Sequence, residues 1–189
     1  MAIKPILFNT EMVRAILDGR KDVTRRIVKG FIPDDAVWGY TAFTPKGYIS
    51  CRGTFADGYG EKFFKLPCEP GDILYVRETW KKAPNGYYYY EDWQRNDIAD
   101  VIKWKPSIHM PKEAARIWLK VTEVRVERLQ DMTDDDAEAE GCFDYTSTAL
   151  GFFDVWDSTI KKSNLNHYGW DANPYVWVIE FERCEKPEE

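Results

Sequence analysis

The sequence predicts an α+β fold in which antiparallel strands form the main sheet and helices lie between them. Two segments, residues 116–128 and 174–183, alternate apolar and polar side chains with the period of two that is typical of a strand. Three others, residues 10–18, 133–141 and 149–160, carry helical signals, either apolar residues at helical spacing or capping residues at the ends. Helices inserted among antiparallel strands indicate a mixed α+β domain.

The chain begins with a short strand and a helix. Residues 4–8 predict the strand, and the helix of residues 10–18 follows with Thr10 as its N-cap. Gly19 suits the C′ position, where a left-handed backbone ends a helix. Residues 27–70 are rich in glycine, proline and aromatic residues without a sustained period, which predicts loops and short hairpins.

The middle of the chain predicts further strands. A Pro-Gly-Asp turn precedes a strand of residues 73–80, and an Asn-Gly turn signal within residues 81–93 indicates a hairpin. The long strand of residues 116–128 is predicted to contain a bulge or bend near Thr122.

The last part of the chain predicts two helices and a strand. Thr133 caps a helix that ends at Gly141, and acidic residues in its first turn suit the helix dipole. Residues 149–160 predict an amphipathic helix, and residues 174–183 a strand with one strongly apolar face. Three tryptophans on apolar faces are predicted to lie in the core: Trp118, Trp156 and Trp177.

Length and composition indicate a single domain that covers residues 1–189. Hydrophobic residues make up 44% of the chain and aromatic residues 15%, which is enough for a sizeable core. No apolar run approaches the length of a membrane span, and the N-terminus lacks the order of a signal peptide. We therefore expect a cytoplasmic protein with no membrane partner.

Cysteine and histidine spacing predicts neither a metal site nor a cofactor. The two histidines are far apart, and no Cys-x-x-Cys pair occurs. We expect the four cysteines to be reduced and structural; they are Cys51, Cys68, Cys142 and Cys184.

The charge distribution limits the partners. A net charge of -6 argues against a protein that coats long duplex DNA, because such binding neutralises many phosphates. Residues 12–30 nevertheless contain six basic and two acidic residues, a local excess of +4. This patch favours a small anionic or polar ligand, or a short RNA, over a long polymer. We interpret the acidic tail, residues 185–189, as a solvated end.

Residues 19–26 carry the clearest chemical content, with a lysine, a hydroxyl and two adjacent arginines just after the first predicted helix. A hydroxyl near an amine that serves as its base is the minimum equipment for nucleophilic catalysis. Lys21 and Thr24 converge only if the backbone turns between them, because successive side chains of an extended chain face opposite ways. From spacing alone, a solvated basic turn is the alternative interpretation.

The pattern Gly19, Lys21, Thr24 and Arg26 resembles the Gly-x-Lys-x-x-Thr/Glu-x-Arg signature of the ASCH domain family. This family has a β-barrel similar to the PUA RNA-binding fold. Other blocks resemble longer ASCH proteins, often encoded by phages and prophages: residues 4–8, 70–80 and 176–181. The resemblance implies a PUA-like mixed β-barrel with flanking helices and long loop insertions.

A second match, residues 129–141, extends the resemblance to an activity. In the small ASCH enzymes that remove the acetyl group from N4-acetylcytidine, a similar helix carries a glutamate that works with the lysine and threonine. Carried over residue by residue, the catalytic trio is Lys21, Thr24 and Glu140. The resemblance therefore implies an amidohydrolase that removes an acyl group from the exocyclic amine of a modified cytidine.

This resemblance also implies a division of roles. Thr24 is expected to attack the acyl carbonyl, Lys21 to take the hydroxyl proton, and Glu140 to protonate the leaving amine. Three neighbouring arginines are expected to contact the substrate and, as like charges, to lower the pKa of the lysine: Arg20, Arg25 and Arg26. Arg26 or a backbone N–H is expected to face the oxyanion.

Three residues outside the two motifs are further candidates for substrate binding. Glu78 shares a predicted strand face with apolar residues, and either a functional role or a salt bridge to an arginine explains such a buried acid. Trp80, at the end of that strand, is a candidate for stacking on a base. His109 lies in a proline-bounded loop from which it can line a pocket.

The chain also departs from the family pattern. The small deacetylases are shorter than its 189 residues, and the additional material falls at about residues 27–70 and 81–111. Only a few identical residues support the helix that carries Glu140, so Glu138 and Asp136 are competing carboxylates.

Two other functions remain open alongside the amidohydrolase. One is a PUA-like module that binds a modified nucleotide or a short RNA without turnover. The other is an ASCH-type ribonuclease that uses Lys21 as a base or a phosphate clamp. The oligomeric state is not predicted by any of these patterns.

Overall fold

The structure is a computed structural model, and it describes residues 1–93, 103–142 and 148–188. Within these residues, ten strands form three sheets. The strands are β1 (Ile3–Leu7), β2 (Val23–Ile27), β3 (Val37–Gly39), β4 (Tyr48–Phe55), β5 (Gly58–Lys65), β6 (Ile73–Arg77), β7 (Trp80–Ala83), β8 (Gly86–Tyr89), β9 (Trp118–Arg128) and β10 (Tyr175–Cys184). The α-helices are α1 (Thr10–Leu17), α2 (Tyr90–Trp93), α3 (Asp134–Ala139), α4 (Thr148–Thr159) and α5 (Leu165–Tyr168).

The main sheet has five strands in the order β1-β6-β9-β10-β2. The β1 and β6 strands are parallel, and the other neighbouring pairs are antiparallel. The predicted bulge is present, because Glu180 pairs with Glu123 while Phe181 pairs with Val121, which leaves Thr122 as the extra residue. The prediction of an α+β fold with mixed strands is confirmed.

The main sheet stays open between its two edge strands. Among the described residues, no strand pairing joins β1 to β2, and the sheet is therefore not a closed barrel. A side chain spans part of the gap, since Arg26 Nη2 donates a hydrogen bond to the Leu7 carbonyl oxygen at 2.8 Å. A cleft remains where a ladder of backbone hydrogen bonds would close a barrel.

Both faces of the main sheet are covered. Trp177 and Ile179 of β10 pack into the larger core cluster with residues of α1, β6 and β9. Val176 and Val178, on the opposite face, pack into a second cluster that includes residues of α3 and α4. The last strand is therefore buried on both sides along this stretch, rather than having a single apolar face. The three tryptophans predicted to lie in the core, Trp118, Trp156 and Trp177, are buried.

Residues 27–70, predicted as loops and short hairpins, form a three-stranded antiparallel sheet of β3, β4 and β5. The β4 and β5 strands pair over eight residues each. Glycines at positions 53, 58 and 60 interrupt the alternation of side chains, which hides the strand period in the sequence. This sheet contacts the larger core cluster through Trp38 and Phe64.

The hairpin predicted within residues 81–93 is confirmed, with β7 and β8 paired around the Asn-Gly turn. The strand predicted over residues 73–80 is shorter than expected, because β6 ends at Arg77 and Trp80 already begins β7.

Capping residues mark the ends of α1 and α3. Asn9, rather than the predicted Thr10, is the N-cap of α1, since its side chain accepts a hydrogen bond from the Met12 backbone at 2.8 Å. Gly19 follows α1 with φ +72°, as predicted. Thr133 caps α3 in a capping box with Asp136, also as predicted.

The four cysteines are free thiols, in agreement with the prediction that they are reduced. None of the described helices has the length and apolar character that a membrane crossing requires.

Candidate active site

A cavity of about 330 Å³ lies at the open seam of the main sheet. The end of β1, strand β2, the C-terminal end of α3 and helix α4 contribute to its walls. The lining residues are Leu7, Phe8, Asn9, Met12, Lys21, Thr24, Arg25, Arg26, Ser107, Glu140, Phe152, Val155, Trp156 and Thr159. All three residues of the predicted trio, Lys21, Thr24 and Glu140, are in this set.

The turn after α1 directs Lys21 into the cavity. The backbone N–H groups of Arg20 and Lys21 both donate to the Ala15 carbonyl, at 2.8 and 3.2 Å. The next residue, Asp22, donates its backbone N–H to Ala139 of α3 at 3.1 Å. The chain thereby turns between α1 and β2, which is the condition under which Lys21 and Thr24 share one cavity.

Lys21 is 4% exposed and makes three hydrogen bonds. Its Nζ donates to the Val23 carbonyl at 2.6 Å, the Glu140 carbonyl at 2.9 Å and Glu140 Oε2 at 2.6 Å. An ammonium has three N–H groups, so each one has an acceptor.

Burial lowers the pKa of the Lys21 ammonium below its ordinary value of 10.5, and the Glu140 carboxylate opposes this effect. Arg26 contributes a smaller lowering. The lowering of the Lys21 pKa agrees with the prediction from the sequence, but desolvation is its main cause. The three arginines that were expected to lower this pKa contribute less than desolvation does.

Glu140 is the C-cap residue of α3 and is 4% exposed. Its Oε2 accepts from Lys21, whereas Oε1 has no hydrogen-bond partner within the described residues. Arg25 Nη1 lies 3.5 Å from Oε1, at ion-pair distance. Of the two competing carboxylates, Glu138 is exposed and Asp136 belongs to the capping box at the start of α3. Glu140 is therefore the acid that lines the cavity.

Thr24 lies on β2 opposite Ile179 of β10 and is 3% exposed. Its side chain lines the cavity and forms no hydrogen bond to any part of the chain that the structure describes. A hydroxyl in this condition is available to a bound ligand.

The two arginines next to Thr24 have different environments. Arg25 is buried and ion-paired, with Asp136 Oδ1 at 3.0 Å from Nη2 and Glu127 Oε2 at 3.6 Å. Arg26 is half-buried at the cavity wall, and its guanidinium lies 5.2 Å from the centre of the Phe8 ring. Lys21 Nζ lies over the same ring at 5.5 Å.

Several predicted binding residues lie outside this cavity. Arg20 forms an ion pair with Asp18 at 3.0 Å and does not line the cavity. Glu78 is buried and pairs with Arg116 through two bonds of 2.9 Å, which matches the salt-bridge alternative. Burial raises the pKa of Glu78, and the Arg116 guanidinium opposes this shift.

Trp80 and His109 are also absent from the lining set. Trp80 is 4% exposed and packs against Met110 and Ala114. His109 is exposed at the end of the 3₁₀ turn Ser107–His109, and Ser107 of that turn is the residue that lines the cavity. Neither side chain therefore faces a ligand held in the cavity.

The aromatic walls of the cavity are the part that sequence reasoning missed. Phe8 follows β1, and Phe152 and Trp156 come from α4 with ring centres 5.9 Å apart. The four-residue spacing of Phe152 and Trp156 is visible in the sequence and places them on one helix face, but that pattern also fits core packing. Trp156 donates its Nε1–H to the Tyr168 carbonyl at 2.8 Å, which orients its ring.

Comparison with known proteins yields no match to any family model, curated protein or solved structure. The chemistry of the cavity itself is therefore the basis for assigning a function. It brings together an unbonded hydroxyl, a buried amine of lowered pKa and a buried carboxyl group, which together can serve nucleophilic attack and proton transfer.

Proposed function

We propose that this protein is an amidohydrolase that removes an acyl group from the exocyclic amine of an N4-acetylcytidine-like nucleoside. The observation that carries the proposal is the buried Lys21–Glu140 pair, 2.6 Å apart, in one cavity with the unbonded Thr24 hydroxyl. The resemblance of Gly19, Lys21, Thr24 and Arg26 to the ASCH signature supports it. We propose, on the same resemblance, that the open main sheet is a PUA-like barrel with an unpaired seam.

The cavity suits a nucleobase in size and in character. Its volume of about 330 Å³ falls in the range of small-molecule sites. Phe8, Phe152 and Trp156 provide flat apolar surfaces on which a pyrimidine ring stacks. Thr24 and Arg26 of β2, Lys21 of the preceding turn and Glu140 at the end of α3 supply the polar groups that would hold an acyl carbonyl.

Catalysis begins with a proton transfer inside the buried pair. Lys21 passes one ammonium proton to Glu140 Oε2, and burial favours the neutral amine that results. The bound substrate then draws the Glu140 carboxyl toward the leaving nitrogen, which frees the lone pair of Lys21 to face Thr24.

Thr24 Oγ1 attacks the acyl carbon while Lys21 takes the hydroxyl proton. The C–N bond then breaks, and Glu140 gives its proton to the exocyclic nitrogen of cytidine. Arg26 lines the cavity without an ion pair to any described residue, and it supplies donors to the developing oxyanion.

A water molecule completes the reaction by attacking the acyl-threonine ester. Glu140 takes a proton from the water, Lys21 returns its proton to the Thr24 oxygen, and the carboxylic acid leaves. The proton on Glu140 then passes back to Lys21, so that the resting pair is restored and every proton is accounted for.

Turnover of N4-acetylcytidine, followed by chromatography, tests the proposal. We expect Thr24→Val to lower kcat by about 10³-fold or more, because it removes the nucleophile. Its fold should be retained, since the hydroxyl forms no hydrogen bond within the described residues. Thr122→Val, an exposed threonine outside this cavity, is the matched control and should keep wild-type turnover. Full activity of Thr24→Val would remove Thr24 as the nucleophile.

A second candidate is a module that binds a modified nucleotide without turnover. The specific observation in its favour is that all three ammonium protons of Lys21 have acceptors in the resting structure, as expected of a fixed structural charge. Saturable binding of N4-acetylcytidine without product would support this function. Release of RNA fragments that depends on Lys21 would instead support a ribonuclease.

A further inference from the structure

A second cavity, of about 300 Å³, adjoins the first and shares Leu7 and Arg26 with it. Its floor is apolar and includes Ile6, Leu74 and Ile179. Three cationic side chains line it, and none of the described lining residues is acidic; the cations are Lys4, Arg26 and Arg77. The catalytic mechanism above uses Arg26 alone among them.

Both arginines are neighbours of Leu7, the last residue of β1. Arg77 is the register partner of Leu7 in the parallel pair of β1 and β6. Arg26 reaches Leu7 from the opposite edge of the sheet and donates to its carbonyl at 2.8 Å. The second cavity thus has a guanidinium from each side of the seam.

Arg26 and Arg77 form no ion pair with any residue that the structure describes, whereas Lys4 is paired with Asp72 at 2.9 Å. Burial lowers the pKa of Arg26, and Glu140 opposes this shift without being in an ion pair with it. Arg77 Nη1 donates to the Ile108 carbonyl at 3.2 Å, and its Nε is buried without a hydrogen-bond partner in the described part of the chain. An arginine with unused donors beside an apolar floor is a receptor for an anion.

Contacts already present orient Arg77. Its guanidinium lies 5.6 Å from the centre of the Tyr75 ring, and the bond to the Ile108 carbonyl holds one of its nitrogens. An anion that binds there meets a donor group whose position is largely set in advance, which reduces the entropy lost on binding.

We infer that the second cavity holds a phosphate group on the ribose of the substrate, with the base in the first cavity, so that the preferred ligand is a cytidine mononucleotide. This inference rests on the proposed function only for the identity of the base. Guanidinium groups bind phosphate oxygens through paired, charge-assisted hydrogen bonds. The shared wall at Leu7 and Arg26 makes the two cavities adjacent parts of one ligand site.

A mononucleotide fits better than an extended RNA. Only two arginines without ion pairs converge on the second cavity, which matches one phosphate. An RNA strand draws its affinity from many phosphate contacts along a basic track, whereas the whole chain carries a net charge of -6.

Equilibrium binding by calorimetry on the full chain tests the inference with cytidine and cytidine monophosphate as probes, neither of which has an acyl group to hydrolyse. We expect the monophosphate to bind at least about tenfold more tightly than cytidine, as charge-assisted hydrogen bonds predict. Arg77→Gln should remove this preference and leave cytidine affinity unchanged. Arg77→Lys, which keeps the charge without the planar fork, should retain part of it. Arg52→Gln, an exposed arginine on β4, is the control and should change neither affinity.

The outcomes separate this inference from the proposed function. Equal affinities of wild type for the two probes, or a preference that survives Arg77→Gln, would overturn the phosphate site even if N4-acetylcytidine is hydrolysed. An Arg77-dependent preference in a protein that hydrolyses no acylated cytidine would support the phosphate site and refute the amidohydrolase. Much tighter, Arg77-dependent binding of a short cytidine-containing RNA would overturn the assignment to a mononucleotide.

Discussion

At the scale of single residues, burial of the charged Lys21–Glu140 pair costs desolvation free energy. Both side chains are almost fully buried, and desolvation of two charges offsets much of their mutual attraction. Removing one partner of such a pair typically costs about 3–5 kcal/mol, because the other charge is left buried without compensation. The pair is thus a weak source of net stability, and under the proposed function its role is to carry a proton between the amine and the carboxyl group.

The lowered pKa of Lys21 predicts how activity depends on pH. In the proposed mechanism the pair must keep one proton, because Lys21 passes it to Glu140 and Glu140 gives it to the leaving amine. We therefore expect kcat/KM for N4-acetylcytidine to fall as pH rises through the pKa of Lys21, with a midpoint below the ordinary lysine value of 10.5. The unfolded chain keeps this proton up to about 10.5, so this group's contribution to the free energy of unfolding should rise with pH between the lowered pKa and the ordinary one.

A pH–rate profile from about pH 6 to 10 makes the measurement. The buried lysine is the group expected to titrate, so a limb that falls toward high pH is predicted in the wild type. A profile that is flat across this range would show that no lysine titrates during the reaction.

At the scale of elements, the geometry of the candidate site depends on how the end of α3 packs against α1. Gly141 follows Glu140 with φ +91°, and a Cβ added there would lie 2.8 Å from the Cβ of Ala15. The backbone bond from Asp22 to Ala139 joins the same two regions. Glu140 is therefore held opposite Lys21 by a close approach that only glycine allows.

We predict that Gly141→Ala destabilises the protein more than Gly19→Ala does. Both glycines follow a helix with positive φ, but the space around Gly19 is open within 4 Å. In each variant, the strain of alanine in a left-handed conformation should lower the free energy of unfolding by about 1–2 kcal/mol. Gly141→Ala should lower it by about 1–3 kcal/mol more, because the new Cβ overlaps with Ala15.

Urea unfolding of the two variants and the wild type measures this difference. Turnover should fall in Gly141→Ala and persist in Gly19→Ala, since only the first substitution displaces Glu140. Equal losses of stability would mean that α3 and α1 are not in close contact at this point.

At the scale of the whole molecule, the two cavities lie at the seam where the main sheet does not close. The rest of the sheet is covered on both faces by core clusters that include Cys68 and Cys142, and Cys51 is buried on β4 of the three-stranded sheet. Burial raises the pKa of Cys68 and of Cys142 to about 11, and it also raises the pKa of Cys51. These thiols therefore report on the integrity of the packed regions.

Alkylation followed by mass spectrometry tests this packing. Near pH 8 we expect only Cys184, which is half-buried, to be modified in the folded protein, because the buried thiols are inaccessible and protonated. All four cysteines should react in denaturant. Cys184→Ser should leave the folded protein unlabelled, and early labelling of Cys142 would indicate that the end of α3 opens without global unfolding.

The sequence alone predicted those features that arise from local chemistry. The cap of α3 at Thr133, the glycine that ends α1, the Asn-Gly hairpin and the bulge at Thr122 depend on a few consecutive residues, and each is present. The motif of Lys21 and Thr24, with Glu140 from the second block, also named residues that line one cavity.

Only the tertiary structure decided which of these residues meet, because the contacts join segments far apart in the chain. It placed Glu140, rather than Glu138, against Lys21, and it paired Glu78 with Arg116 away from the cavity. It also left the sheet open between β1 and β2, so that Arg26 and Arg77 reach Leu7 from opposite sides. Burial, which lowers the pKa of Lys21, is a property of this packing and has no counterpart in the local sequence.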